Sequence, residues 1–176
     1  MQAPLDIFVV RKLGVPGHEE YAMGAIASGG VRVMNPLPGL TVRPEAIAAV
    51  VEREQAELVR REHFYRKQRP AVPIRGRTVI VVDDGLATGS TMQAAILAIR
   101  QQHPLHLAVA VPVGARDTCT ALRQQADDGI CAETPEPFRA VGLWYQEFPQ
   151  ATDDEVCALL EEARREHAIA TRLSGH

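Results

Sequence analysis

The chain has 176 residues, 46% hydrophobic and 23% charged, the balance of a single soluble domain able to bury a sizeable core. Its formal net charge of −3 argues against a general nucleic-acid binder, which needs a basic surface. Three widely spaced cysteines without a C-x-x-C pair support neither a disulfide framework nor a zinc site.

Buried free thiols in a reducing compartment are therefore expected. The N-terminal M-Q-A-P-L-D-I-F-V-V-R-K lacks a basic leader followed by an apolar stretch and a small-residue cleavage site. No apolar run approaches the ~20 residues of a bilayer span. The expectation is a cytoplasmic protein without a membrane partner.

In chain order, Asp6–Val10 (D-I-F-V-V) is an almost continuous apolar run, the pattern of a strand buried on both faces. Arg11 and Lys12 follow it directly. Gly24–Met34 reads as two short strands around Ser28-Gly29-Gly30, a small antiparallel hairpin. Pro44–Tyr65 is a long charged helix with proline at an early position and a patchy apolar stripe from Ile47, Val50, Val51, Leu58 and Val59. Pro70 and Pro73 mark a loop. Thr78–Val82 and Leu107–Val111 are further apolar strands, and Gly129–Ala132 is a fourth, shorter one. Helices are expected over Thr91–Gln102, stopped by His103-Pro104, and over Arg116–Ala126. Strand–helix alternation at this spacing implies an α/β fold, a parallel sheet flanked by helices. Thr152-Asp-Asp-Glu155 is a capping box that opens a C-terminal helix reaching about Ala168. No repeat, low-complexity tract or linker divides residues 1–176, so one domain is expected.

The chemistry concentrates in V-I-V-V-D-D-G-L-A-T-G-S-T, Val79 to Thr91. In a parallel sheet ligands gather beyond the C-terminal strand ends, where Asp83 and Asp84 fall. Adjacent carboxylates repel, a cost that a cation or hydrogen-bond donors opposite them would offset. A diol with a bound divalent cation satisfies both. Gly85 and Gly89 allow the chain to bend between strand and helix. The amides of Ala87, Thr88, Gly89, Ser90 and Thr91, with the helix N-terminus behind them, suit a phosphate. The turn lacks the lysine of a nucleotide-triphosphate P-loop and the G-x-G-x-x-G spacing of dinucleotide folds.

This stretch resembles the phosphoribosyl-pyrophosphate (PRPP) signature of the type I phosphoribosyltransferases. D-I-F-V-V-R-K-L-G-V-P-G-H-E-E-Y-A-M-G-A-I-A-S-G-G and T-P-E-P-F-R-A-V-G-L-W-Y-Q-E-F are similar to a bacterial subgroup of that family. The resemblance implies that Asp83 and Asp84 contact the ribose hydroxyls, with Mg2+ held through ribose or water. Gly85 and Ala87–Thr91 then hold the 5-phosphate. Arg11 and Lys12 stand where family members open a mobile loop and stabilise the leaving pyrophosphate, and His18 with Glu19–Glu20 falls on that loop. Phe138, Trp144 and Tyr145 lie where the family places its acceptor. The implied reaction displaces pyrophosphate from PRPP with a nitrogenous small-molecule acceptor.

The family's first strand and its P-R-G-G-like pyrophosphate loop have no counterpart before Ala3-Pro4-Leu5-Asp6. The sheet is thus expected to lack one central strand, and the site one phosphate loop. Three functions remain open: an active phosphoribosyltransferase, a catalytically incomplete PRPP- or nucleotide-binding module, and a magnesium-dependent receiver- or phosphatase-like domain using Asp83. The long helix and the incomplete sheet leave room for a homodimer.

Overall fold

A computed structural model of the chain describes residues 3–34, 41–67 and 69–174. Two three-stranded sheets organise it. The antiparallel sheet joins β1 (Val10–Val15), β2 (His18–Ala27) and β3 (Val31–Met34) in that order. The parallel sheet joins β4 (Thr78–Val82), β5 (His106–Val113) and β6 (Asp128–Glu133), again in chain order. The helices are α1 (Pro44–Arg66), α2 (Ser90–Arg100), α3 (Arg116–Arg123) and α4 (Asp153–Ser174).

The α/β architecture follows the sequence expectation, with two corrections in its first third. Asp6–Val10 is not a strand of the parallel sheet; extended pairing begins at Val10, opposite Ala27. Asp6 explains part of this, because its carboxylate accepts from the amides of Ile7 and Val72 and from Arg66. Side-chain bonds of this kind compete with a ladder. Ser28 closes the rest: its hydroxyl accepts from the Val9 amide at 2.8 Å, and its own amide donates to the Val9 carbonyl. The second correction concerns the residues after Lys12. They form no loop but continue β1 to Val15, turn through Pro16-Gly17, and return as β2 from His18. Gly17 sits at φ +81°, which is what the third position of a type II turn after proline requires.

Two apolar clusters hold the layers. Leu13, Val15, Met23 and Ile26 of the antiparallel sheet pack with Val50, Val51 and Leu58 of α1. Met92, Ile96 and Ile99 of α2 and Leu122 of α3 pack on Leu107, Val109 and Val111 of β5, joined by Val79, Val81 and Phe8. Each fully buried side chain of this size contributes about 2 kcal/mol by transfer from water. Helix α2 also touches all three antiparallel strands, so it lies between the two sheets. Helix α4 packs on α1 through Tyr65–Asp153, and Arg69, just past the end of α1, pairs with Glu161. Its capping box forms as expected, the Thr152 amide donating to Glu155 Oε2 at 2.7 Å.

Cys119 and Cys131 are joined in a disulfide, and Cys157 is free and buried. This corrects the expectation of three free thiols. The two cysteines stand 12 residues apart, with no sequence motif to pair them; the packing of α3 against β6 brings them together. Among the described residues no helix is long and apolar enough to cross a membrane.

Candidate functional site

Strand β4 delivers Asp83 and Asp84 to the C-terminal edge of the parallel sheet, and the chain then bends into α2. Asp83, Asp84, Ala87, Thr88, Ser90 and Thr91 are exposed there, whereas Leu86 and Gly89 are buried and anchor the bend. Leu86 forms a parallel bridge to Gly114, just past β5, its amide donating to the Val113 carbonyl at 3.0 Å. At Gly85 a Cβ would lie 2.6 Å from Val141 Cγ1 and 2.9 Å from the Val113 carbonyl, so only glycine fits without displacement. Gly89 is the N-cap of α2 in a left-handed conformation, φ +71°, which favours glycine.

Three carbonyls of the bend are engaged from behind. Asp84 O accepts from the Tyr145 hydroxyl at 2.6 Å, Leu86 O from the Ala115 amide at 2.8 Å, and Ala87 O from the Thr118 hydroxyl at 2.7 Å. The amides of Ala87, Thr88, Gly89, Ser90 and Thr91, by contrast, find no acceptor among the described residues. No side chain caps α2 either. The first-turn donors of a helix require some partner, and free amides beside a helix N-terminus form an anion site. The Thr88 and Ser90 hydroxyls are 3.4 Å apart at the same place.

The acids beside this concavity are electrostatically costly. Packing around Asp83 pushes its carboxyl above the ordinary range; the Asp84 carboxylate adds to the rise, and the hydrogen bond from the Asp84 amide opposes it. Neither acid has a salt-bridge partner among the described residues. No cluster of three or more metal-ligating side chains exists among those residues. Two carboxylates alone are a thin ligand set, so a divalent cation here would need further oxygens from a substrate.

Lys12 reaches the site and Arg11 does not. Successive strand residues point to opposite faces. Lys12 lines a cavity of about 90 Å³ with Val10, Ser90, Thr91, Gln93 and Leu97. Arg11 faces α1, where its guanidinium holds the buried Glu54 carboxylate at 2.7 Å. Arg11 is thereby withdrawn from the position that the Arg-Lys pair implied.

The aromatic trio divides as well. The segment after β6 folds back over the acidic bend through a 3-10 turn at Val141–Trp144. Tyr145 is occupied at both ends, its hydroxyl on Asp84 O and its ring against Phe148 with centroids 5.0 Å apart. Trp144, by contrast, is 47% exposed and so offers a ring face. Phe138 is half-buried earlier on the same segment. Sequence reasoning missed Thr118, Val141 and Ala115, none of which belongs to a local motif.

The phosphoribosyl transferase domain model matches residues 25–143, the span that holds the bend, α3 and β6. Two Mycobacterium tuberculosis proteins, from strains CDC 1551 and H37Rv, carry the names "Putative phosphoribosyl transferase MT0597" and "Putative phosphoribosyl transferase Rv0571c"; each is 43% identical over 172 residues. The match takes in 97% of this chain but 39% of those relatives, so the chain spans about two fifths of their length. The crystal structure of TT1426 from Thermus thermophilus is similar at 36% identity with a TM-score of 0.75, over 89% of this chain and 75% of that one. With two thirds of its sequence inside the domain model, this chain belongs to the phosphoribosyl transferase family.

Proposed function

We propose that the chain binds PRPP and transfers its phosphoribosyl group to a nitrogenous small molecule. The observation that carries this reading is the bend itself: carbonyls held from behind and free amides in front, directly after twin carboxylates. The 5-phosphate would take the amides of Ala87, Thr88, Gly89, Ser90 and Thr91 together with the adjacent hydroxyls. Asp83 and Asp84 would accept hydrogen bonds from the ribose hydroxyls. Mg2+, held beside Asp83 and Asp84 through ribose or water, would supply positive charge that neutralises the leaving group. As the bond from the anomeric carbon to pyrophosphate breaks, the electron pair leaves with the pyrophosphate. Positive charge grows on the ring, where Asp83 and Asp84 favour it. Lys12 would meet the negative charge that develops on the departing oxygens. The acceptor nitrogen forms the new bond and releases its proton to solvent; Trp144 gives a planar acceptor a surface to stack on. Positioning and electrostatics supply the rate.

A second reading, a PRPP-binding module without turnover, is favoured by one observation. The pairing of Arg11 with Glu54 removes half of the cationic pair expected at the leaving group. Pyrophosphate release from PRPP and Mg2+ across a panel of bases decides between the two. Release with at least one base, lost in Asp84→Asn, is the expected result. Binding that Asp84→Asn weakens roughly tenfold or more, without release under any condition, supports the module. Equal affinity of wild type and Asp84→Asn contradicts both.

A further inference from the structure

Of the three carbonyl contacts behind the bend, two come from side chains, and each fixes one peptide plane. In a trans peptide the C=O and the following N–H point in opposite directions. When the Ala87 carbonyl is turned towards α3, the Thr88 amide is turned away from α3. The group that holds it is the Thr118 hydroxyl, 2.7 Å from Ala87 O. The Thr118 methyl carries a second constraint, because a Cβ on Gly89 would lie 2.6 Å from Thr118 Cγ2. One side chain therefore touches both ends of the Ala87–Gly89 segment.

We propose that Thr118 is a positioning residue for the oxyanion cradle, holding the Ala87–Thr88 peptide so that its amide is aimed before ligand arrives. The inference rests on the proposed function, since it assigns an organiser to that same site. Thr118 need not touch the ligand. It acts through the Ala87 carbonyl, and an amide aimed in advance costs no reorganisation on binding. Without the hydroxyl that carbonyl would turn to water, and the plane would be free to rotate. The neighbouring Leu86 plane is held by a backbone amide of Ala115 and would not be affected.

The test is calorimetric titration of the full chain with ribose 5-phosphate, paired with thermal melts. Thr118→Val keeps the methyl and the volume while removing the donor; Thr118→Ser keeps the donor. Thr118→Val is expected to weaken ribose 5-phosphate roughly tenfold, with Thr118→Ser within about twofold of wild type. Both variants should keep the wild-type melting temperature to within about 4 °C. If Thr118→Val does not fold, Thr118→Ala takes its place with the same expectation. Wild-type affinity in the valine or alanine variant overturns the proposal. Equal weakening in the serine variant does so too, because packing rather than the hydroxyl would then be responsible. No binding of ribose 5-phosphate by the wild-type chain would instead bring down the proposed function itself, so the two failures are distinguishable.

Discussion

Asp83 closes β4 beside a second carboxylate, and although its surface is exposed, desolvation by the chain packed around it raises its carboxyl above the ordinary range. A group whose folded pKa exceeds its unfolded value binds protons more readily when folded, so stability falls as pH rises through that interval. At pH 7 the ionised Asp83 therefore weakens the free protein. Asp83→Asn should raise the melting temperature at pH 7, with the gain fading as pH falls below the unfolded value of 3.8. Its affinity for PRPP and Mg2+ should fall at the same time. A melting series across pH checks this, and a lower melting temperature for Asp83→Asn at pH 7 contradicts it. The acids and the bend were legible in the sequence because strand, carboxylates and turn lie within thirteen consecutive residues. Thr118 was not, and Tyr145 was read as part of an acceptor surface rather than as a support of the bend, since they reach it from 31 and 61 positions away. Only the folded chain brings them there.

At the level of elements, β1 separates two cations that look equivalent in sequence. Arg11 and Lys12 leave the strand on opposite faces, one towards α1 and the other towards the cavity beside α2. Removing Arg11 leaves the Glu54 carboxylate, 8% exposed, with Arg53 as its remaining cation. Arg11→Ala should cost about 2 kcal/mol of stability, below the figure for a fully buried pair because Arg53 stays. Lys12→Ala should leave stability near wild type and lower pyrophosphate release instead. Denaturant unfolding alongside turnover separates them, and the reverse pattern would return Arg11 to the site. Hydrophobic patterning identified β4, β5, β6, α1 and α2, and the Thr152–Glu155 capping box identified α4. The same patterning misread Asp6–Val10 because an apolar run gives no sign that the Asp6 carboxylate and Ser28 will take its backbone amides. The Pro16-Gly17 turn did carry a readable signal, a proline followed by glycine after the short apolar stretch Leu13–Val15. The Cys119–Cys131 bond carried none, because the pairing depends on how α3 lies against β6.

Viewed as a whole, the molecule stacks α1, the antiparallel sheet, α2 and the parallel sheet in succession, with the site where α2 begins. This layering lets β1 and the bend share one cavity although Lys12 and Ser90 are distant in the chain. One face of the parallel sheet is covered by α2 and α3. The other presents Ile80 at 44%, Val82 at 70% and Ile130 at 58% exposure, and β4 pairs on one side only among the described residues. Parallel sheets are ordinarily covered on both faces, so this face departs from the rule. In the proposed function, main-chain amides next to twin carboxylates grip a phosphorylated pentose. Amide NMR shifts during titration with PRPP and Mg2+ test it most directly. The amides of Ala87, Thr88, Gly89, Ser90 and Thr91 are expected to shift together and saturate with one dissociation constant. Saturable binding that leaves those five amides unmoved would contradict it.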